Sequence, residues 1–189
     1  MKGINKVVTS KEAILTVCRE LATEHGFQSL NMRTVAMKCN VSVGSVYNYF
    51  PSKSDLVAAV IQDVWESIFK LNKISNEQDC FVDYVIWMFD RVKVGISEYP
   101  DFFTAHSMSF ASSDKEKGRQ VMSKYFNHMK SGMLVTLQKD KKVNLSVFTE
   151  NFTQKDFVDF IFSNIITLLM KHETSCRILT EIIKRTIYL

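Results

Sequence analysis

The sequence predicts an all-α protein. The chain of 189 residues contains only two prolines and six glycines, whereas proteins built from many short strands need frequent turns. Apolar residues make up 46% of the chain, which is enough to bury a substantial core. They also recur at helical spacing, and one such stripe is formed by Ile14, Val17, Cys18 and Leu21. We therefore expect long helices and little or no sheet.

The first two helices have recognisable ends. Thr9 and Glu12 have the spacing of a capping box, so the first helix is expected to begin after Thr9. Gly26 is expected to end it, because glycine accepts the left-handed conformation found at helix C-termini. Asn31 can cap a short second helix, and Asn40 can adopt the positive φ of the tight turn that follows.

The third helix is also short. Ser42 can cap it, and Pro51 ends it because proline lacks the N–H group that a helix requires. Two short helices separated by so few residues predict a helix-turn-helix. Ser52 and Asp55 then cap a fourth helix, which is expected to run to about Leu71.

The remainder of the chain predicts a second all-helical body. Its apolar patterns predict helices over residues 80–96, 101–110, 119–137, 153–170 and 175–188. Polar segments at 112–118 and 139–151 are expected to be loops.

The distribution of charge favours a polyanionic partner for the helix-turn-helix. The net charge of the whole chain is only +4, but no Asp or Glu occurs between His25 and Ser54. Arg33, Lys38 and Lys53 lie in that stretch, where carboxylates would repel phosphate.

The second helix of a helix-turn-helix presents its N-terminal residues to the base edges of the major groove. Here the base-facing residues are expected to be Val43, Gly44, Ser45 and Asn48. The phenols of Tyr47 and Tyr49 can reach flanking phosphates. Lys53 lies in the first turn of the fourth helix, where free backbone N–H groups also bind anions. Each tyrosine taken alone has the alternative role of a core or boundary aromatic.

The segment from Met32 to Leu56 resembles the tetracycline-repressor (TetR) family of bacterial regulators. The resemblance rests on Val35-Ala36, the run from Val41 to Phe50, and Ser52-Lys53, with Gly26-Phe27 upstream. It covers roughly the first third of the chain. It implies a homodimer that binds a palindromic operator in double-stranded DNA and releases it when a small-molecule effector binds.

The resemblance also implies roles for individual residues. It makes Tyr47, Tyr49 and Lys53 phosphate contacts, and it brings Arg33 and Thr34 close to DNA. It implies that residues 1–54 form a three-helix DNA-binding domain and that residues 55–189 form a helical domain for ligand binding and dimerisation.

The ligand pocket is expected among aromatic, methionine and polar residues of the second body. The candidates are Trp87, Met88, Arg91, Phe103, His106, Phe110, Phe126 and Met129. An ordinary packed core would give the same pattern, so this alternative stays open.

The last two helices are the candidates for the dimer interface, because their apolar stripes are too broad for a solvated surface. The stripes contain Phe157, Phe160, Ile161, Asn164, Ile165, Leu168, Ile178 and Ile182. Packing against the same residues of a second copy would form a four-helix bundle. Packing within one chain is the alternative.

Several classes of protein are disfavoured. The N-terminus is not typical of a signal peptide, and no apolar segment has the roughly 20 residues of a membrane helix, so a cytoplasmic location is expected. The four cysteines lie far apart, and no metal-binding or catalytic motif is present. We therefore expect no metal, no cofactor and no enzymatic activity. The open alternatives are an all-helical enzyme and a DNA-binding protein without an effector.

Overall fold

The computed structural model describes residues 9–70, 79–99 and 116–188, and the regular elements within these ranges are helices. They are α1 (Lys11–His25), α2 (Met32–Lys38), α3 (Val43–Tyr49), α4 (Lys53–Lys70), α5 (Phe81–Glu98), α6 (Glu116–Lys139), α7 (Gln154–Met170) and α8 (Arg177–Ile187). Two 3₁₀ turns, Phe27–Ser29 and Leu145–Val147, follow α1 and α6. The predicted all-α class is confirmed. The helix predicted over residues 101–110 lies outside the described residues.

The chain divides into two compact units. The first contains the described residues up to Ser67 together with those of Glu98–Met122, and the second contains Ile68–Ser97 and the described residues from Ser123 onward. The functional boundary predicted after residue 54 stays a prediction. None of the described helices combines the length and the apolar character needed to cross a membrane.

The core of the first unit is built mainly by α1 to α4. Its fully buried side chains include Ile14, Leu30, Val35, Val46, Phe50, Leu56, Val60 and Trp65. Burial of one such side chain stabilises the fold by about 1.5–3 kcal/mol. The indole N–H of Trp65 donates to the sulfur of Met122 at 3.0 Å, so the polar edge of this buried ring has a partner.

Most helix starts agree with their capping signals. The side chain of Asn31 accepts the N–H of Thr34 at 2.9 Å, as predicted for α2. Thr153 and Asp156 form the predicted capping box of α7. The prediction for α1 is wrong by one residue, because Ser10 and not Thr9 accepts the N–H that starts the helix.

Helix α6 begins earlier than its polar sequence suggested. We predicted a loop up to Gly118 and a helix from Arg119, but the helix starts at Glu116. Glutamate and lysine are good helix formers, and a carboxylate in the first turn interacts favourably with the helix dipole. A polar composition therefore marks a solvated helix start here and not a loop.

Candidate nucleic-acid interface

The turn between α2 and α3 fixes the orientation of the third helix. Asn40 has φ 53°, the left-handed conformation predicted for it. The N–H of Val41 then donates to the carbonyl of Ala36 at 3.0 Å, which closes the end of α2. Ser42 accepts the N–H of Ser45 at 3.1 Å and caps α3. The turn that joins the two helices of the predicted helix-turn-helix is therefore determined by the local sequence.

Helix α3 has one buried side and one exposed side. Val46 and Phe50 are buried in the first unit, with 0% and 2% of their surfaces exposed. The opposite side carries Val43, Gly44, Tyr47 and Asn48, all of them exposed. Tyr47 lies four positions after Val43, and Asn48 lies four positions after Gly44, so the second pair is one helical turn beyond the first on the same face. Four of the predicted base-facing and phosphate-facing residues are thus brought together in one patch.

Ser45 lies at the edge of this patch. It is half-buried, and its hydroxyl lies 2.9 Å from the hydroxyl of Ser42. The pair of serines therefore serves the helix cap as well as the exposed face.

The two tyrosines of α3 have different surroundings. The hydroxyl of Tyr49 donates to the backbone carbonyl of Thr9 at 2.5 Å, although the ring is 40% exposed. Tyr47 is 47% exposed, and among the described residues its hydroxyl has no hydrogen-bond partner. Tyr47 is thus available to an external acceptor, whereas Tyr49 is engaged within the chain. The sequence pattern did not distinguish them.

The start of α4 combines a lysine with a neutralised acid. Lys53 is exposed in the first turn, which Ser52 caps by accepting the N–H of Asp55 at 3.1 Å. Lys117 forms a hydrogen-bonded salt bridge with Asp55. The hydrogen bond from Lys117 is the main reason why the pKa of this carboxyl group is lowered. The carboxylate that ends the acid-free stretch is therefore paired, which weakens its repulsion of a nearby phosphate.

Helix α2 contributes the second group of predicted contacts. Arg33 is exposed near its N-terminus, and Thr34 is half-buried. One turn after Arg33, the side chain of Met37 is 71% exposed. A single exposed apolar side chain is common on protein surfaces, so Met37 by itself does not indicate a contact. Sequence analysis did not single it out, because its neighbours Val35 and Ala36 already supplied the apolar side of α2.

The predicted ligand-pocket residues that the structure describes lie in the second unit. Trp87 contacts Tyr84 with ring centroids 5.3 Å apart, and Phe126 meets Phe162 edge-on at 5.2 Å. Met88 and Met129 are buried. Phe103, His106 and Phe110 lie outside the described residues.

Arg91 has a structural role in the same unit. It donates to the carbonyl of Ile68 at 2.7 Å, close to the end of α4. A cation at this position satisfies a carbonyl that lies near a helix C-terminus.

Two surface grooves within the described part of the second unit are lined by other residues. One groove of about 450 Å³ is lined by residues that include Cys80, Lys142, Lys184 and Tyr188. The other, of about 380 Å³, is lined by residues that include Leu134, Phe148 and Thr153. Periodicity alone had given no signal for either groove.

The predicted dimer residues fall into two groups. Phe157, Ile161 and Ile165 are buried inside the second unit, whereas Phe160, Ile178 and Ile182 are 56%, 62% and 47% exposed. Asn164 and Leu168 are half-buried. Phe160 on α7 and Ile178 and Ile182 on α8 are thus the predicted dimer residues whose apolar side chains a second copy could cover.

Comparison with known sequences agrees with the geometry of the first unit. Residues 14–60 match the family described as bacterial regulatory proteins, tetR family. The transcriptional regulator UidR of Escherichia coli strain K12 is 32% identical over 77 residues, which are 41% of this chain and 39% of UidR. The repressor KstR of Rhodococcus jostii strain RHA1 is 36% identical over 58 residues, 31% of this chain and 27% of KstR. The matched segments span well under two thirds of these relatives.

Comparison with solved structures extends over most of the chain. RolR with its ligand resorcinol has a TM-score of 0.59 at 16% identity, covering 92% of this chain and 85% of RolR. FadR of Bacillus subtilis with stearoyl-CoA has a TM-score of 0.60 at 13% identity, covering 94% and 95%. BioQ with its double-stranded DNA operator has a TM-score of 0.56 at 9% identity, covering 88% of each chain. These TM-scores establish a shared fold, and at such low sequence identity they establish the fold alone.

Proposed function

The chain belongs to the TetR family of bacterial regulatory proteins through its N-terminal domain, and from this we propose that it is a sequence-specific DNA-binding transcriptional regulator. The observation that carries the proposal is the exposed face of α3. Val43, Gly44, Tyr47 and Asn48 lie on that face, while Val46 and Phe50 anchor the opposite side in the core. A helix presented in this way fits the major groove of double-stranded DNA.

The chemistry of the exposed face suits direct reading of bases. Gly44 allows the backbone of α3 to approach the base edges, because a Cβ added there would meet only the Ser42 hydroxyl, at 3.7 Å. The methyl groups of Val43 suit a thymine methyl, and the amide of Asn48 suits adenine. Ser45 can bond to either kind of base if its hydroxyl turns away from the cap.

Contacts to phosphate would hold α3 in register. Tyr47 offers a phenol without a partner among the described residues, and Lys53 adds a charge at the N-terminus of α4. Arg33 and Thr34 at the start of α2 supply further contacts. These groups contribute to affinity, and the two charged ones make it depend on salt, whereas the base-facing groups of α3 determine sequence preference.

We further propose that two copies act together on a palindromic operator. The proposed contact between the copies consists of the exposed apolar side chains of Phe160, Ile178 and Ile182. Two recognition helices about 34 Å apart would then enter successive major grooves, so the operator should consist of two inverted half-sites.

A small-molecule effector is proposed to control DNA binding, which makes the protein a ligand-released repressor. RolR and FadR, which share the fold, have been solved with resorcinol and stearoyl-CoA, respectively. A ligand that binds better to the conformation with mismatched recognition helices would shift the population towards it and release the DNA. A DNA affinity that no compound changes would support a regulator without an effector.

The experiment starts with selection of duplexes by the purified protein from a random-sequence pool. Affinity for the selected duplex is then measured over a range of salt for the wild type, Lys53→Ala and Tyr47→Phe. We expect both substitutions to weaken binding, and Lys53→Ala to reduce the slope of log K against log salt by about 0.9 per protomer.

Lys155→Ala is the matched control. Lys155 is an exposed lysine in the first turn of α7, just as Lys53 is in the first turn of α4, but it lies in the second unit. Its replacement should leave affinity and slope unchanged. Failure to select any duplex, or equal effects of the two lysine substitutions, would contradict the proposed function.

A further inference from the structure

Lys117 contacts the start of α4 from a distant part of the sequence. It is the second residue of α6, and its ammonium group forms the salt bridge with Asp55. The two residues are 62 positions apart, yet both belong to the first compact unit. This unit therefore brings a cation from outside residues 1–54 to the N-terminus of α4.

Both carboxylate oxygens of Asp55 are engaged. Oδ1 accepts the hydrogen bond from Lys117, and Oδ2 accepts the hydroxyl of Ser52 at 2.7 Å. Ser52 in turn accepts the N–H of Asp55 and caps α4. An acid at this position stabilises a helix, because the cap and the helix dipole both favour its negative charge. The same charge repels a DNA phosphate, so a residue that stabilises the start of α4 also opposes the proposed binding of DNA.

The charges at the start of α4 lie close enough to act together on one phosphate. Lys53 and Asp55 are both in the first turn of α4, and one helical turn rises by about 5.4 Å. Charges at a protein surface act over about 8 Å at physiological salt. A phosphate near this N-terminus is therefore affected by Lys53, Asp55 and Lys117 together, whichever face of the helix each occupies. Two cations and one anion leave the turn positive, whereas without Lys117 its charges would cancel.

The surroundings of the salt bridge favour an electrostatic role over a structural one. The side chains of Lys117 and Asp55 are 53% and 28% exposed, and exposed ion pairs contribute little to stability. Glu116 precedes Lys117 directly, but its carboxylate pairs with Arg119 at 3.7 Å and so does not cancel the charge of Lys117. The effect of Lys117 on a nearby phosphate is therefore expected to exceed its effect on folding.

We propose that Lys117 belongs to the DNA-binding surface, where its charge offsets that of Asp55 and keeps the N-terminus of α4 positive towards an operator phosphate. This inference rests on the proposed function. It adds to the interface a residue from a helix that sequence analysis assigned to the domain for ligand binding and dimerisation. It also accounts for an acid only two positions after Lys53.

The first test varies the charge at position 117 in the full chain and measures affinity for the duplex selected from the random-sequence pool. Lys117→Arg keeps the charge and should bind as the wild type does. Lys117→Met should weaken binding by roughly three- to ten-fold per protomer, which is the effect of a unit charge about 7 Å away in surroundings less polar than bulk water. Lys117→Glu should weaken it by about the square of that factor. Both losses should shrink as the salt concentration is raised.

Asp55→Asn separates charge from structure. It breaks the same salt bridge as Lys117→Met, so a purely structural role predicts that both substitutions weaken binding. The proposal predicts opposite signs, because Asp55→Asn removes the repulsive charge and should tighten binding. The double variant should return close to the wild-type affinity, since its net charge at this turn equals that of the wild type.

Lys93→Met is the matched control. Lys93 forms an exposed ion pair with Asp90 at 2.9 Å, but this pair lies in the second unit and outside the proposed dimer contact. The substitution removes the same charge and should leave affinity unchanged. Thermal unfolding should show that all variants are folded at the temperature of the DNA titration.

The outcomes separate the inference from the proposed function. If the wild type binds the selected duplex and Lys53→Ala weakens binding, but Lys117→Met binds as the wild type does, the role of Lys117 is refuted and the regulator remains. An Asp55→Asn variant that does not bind more tightly, or a loss in Lys93→Met equal to that in Lys117→Met, would also refute it. If the wild type selects no duplex, the proposed function fails first.

Discussion

Asp140 accepts a hydrogen bond from the hydroxyl of Tyr188, 48 residues further along the chain. The same carboxylate accepts the N–H of Phe81 at 2.9 Å and the N–H of Lys142 at 3.0 Å. Asp140 is only 4% exposed. This buried carboxylate therefore joins the start of α5, the loop after α6 and the end of α8 within the second unit.

Replacement of Asp140 by asparagine should destabilise the second unit. Asparagine has nearly the same shape but lacks the charge that strengthens three hydrogen bonds. Bonds to a charged group contribute about 1.5–3 kcal/mol each, and asparagine keeps some of them, so we expect a loss of about 2–4 kcal/mol in the free energy of unfolding by urea. Tyr188→Phe, which removes one of the three donors, should cost less. An equal or larger loss in Tyr188→Phe would contradict the central role of Asp140.

The contribution of Asp140 should depend on pH. Burial by itself would raise the pKa of this carboxyl, but hydrogen bonds from Tyr188, Phe81 and Lys142 outweigh burial and lower it below its usual 3.8. A group whose pKa is lowered by folding stabilises the protein above its unfolded pKa, and this contribution is lost as the pH falls. The difference in unfolding free energy between the wild type and Asp140→Asn should be constant above about pH 5 and shrink below about pH 4. A difference that grows on acidification would contradict this assignment.

Gly132→Ala should destabilise the second unit by steric conflict. A Cβ at this position would collide with the hydroxyl oxygen of Tyr84 and lie 3.2 Å from its Cζ. Tyr84 is buried and packs against Trp87, so it has little freedom to move away. Overpacking of this kind costs about 1–3 kcal/mol, measurable by urea unfolding. Tyr84→Phe removes the colliding oxygen, so Gly132→Ala should cost less stability in a Tyr84→Phe background than in the wild type. If the two substitutions instead lower the free energy of unfolding additively, the collision with Tyr84 is not the cause.

Gly44→Ala should leave the protein as stable or more stable, but it should weaken DNA binding. The added methyl group has open space in the free protein, so the higher helix propensity of alanine should leave stability unchanged or raise it by about 0.5–1 kcal/mol. The same methyl group would stand between α3 and the base edges. Affinity for the selected duplex should fall by about 1–3 kcal/mol, which is the usual cost of one mismatched base pair. Thermal unfolding would measure the change in stability, and DNA titration of the same preparation would measure the change in affinity. An unchanged affinity would place Gly44 outside the interface.

Local signals in the sequence predicted much of the first unit. Asn31 and Ser42 cap helices through bonds to residues three positions ahead, and Asn40 adopts a conformation that its own side chain tolerates. Such interactions depend on neighbours in the sequence, so a single sequence contains the information. The outward face of α3 follows in turn from helical periodicity once Val46 and Phe50 are placed in the core.

Contacts between distant residues account for what the sequence did not predict. Thr9 and Ser10 are equally suitable caps by residue type, and the structure shows Ser10 in that role while Tyr49 engages the carbonyl of Thr9. Two partners of Asp140, Phe81 and Tyr188, lie 59 and 48 residues away in the sequence, and no local pattern joins them to it. Apolar periodicity also gives the same signal for a packed core and for a cavity lining. It could not separate the buried Met88 from a residue that faces a ligand.

The exposed apolar residues of α7 and α8 should control assembly. Ile182 is 47% exposed and lies on the proposed dimer surface with Phe160 and Ile178. Burying a glutamate without a partner in an interface is strongly unfavourable, so Ile182→Glu should convert the dimer to a monomer in sedimentation or light-scattering measurements. Val94 on α5 is 46% exposed and belongs to no proposed interface, which makes Val94→Glu the matched control. A wild type that is monomeric, or equal effects of the two substitutions, would contradict the proposed interface.

Because a monomer contacts only one half-site, the Ile182→Glu variant should also bind a selected palindrome no more tightly than it binds a single half-site.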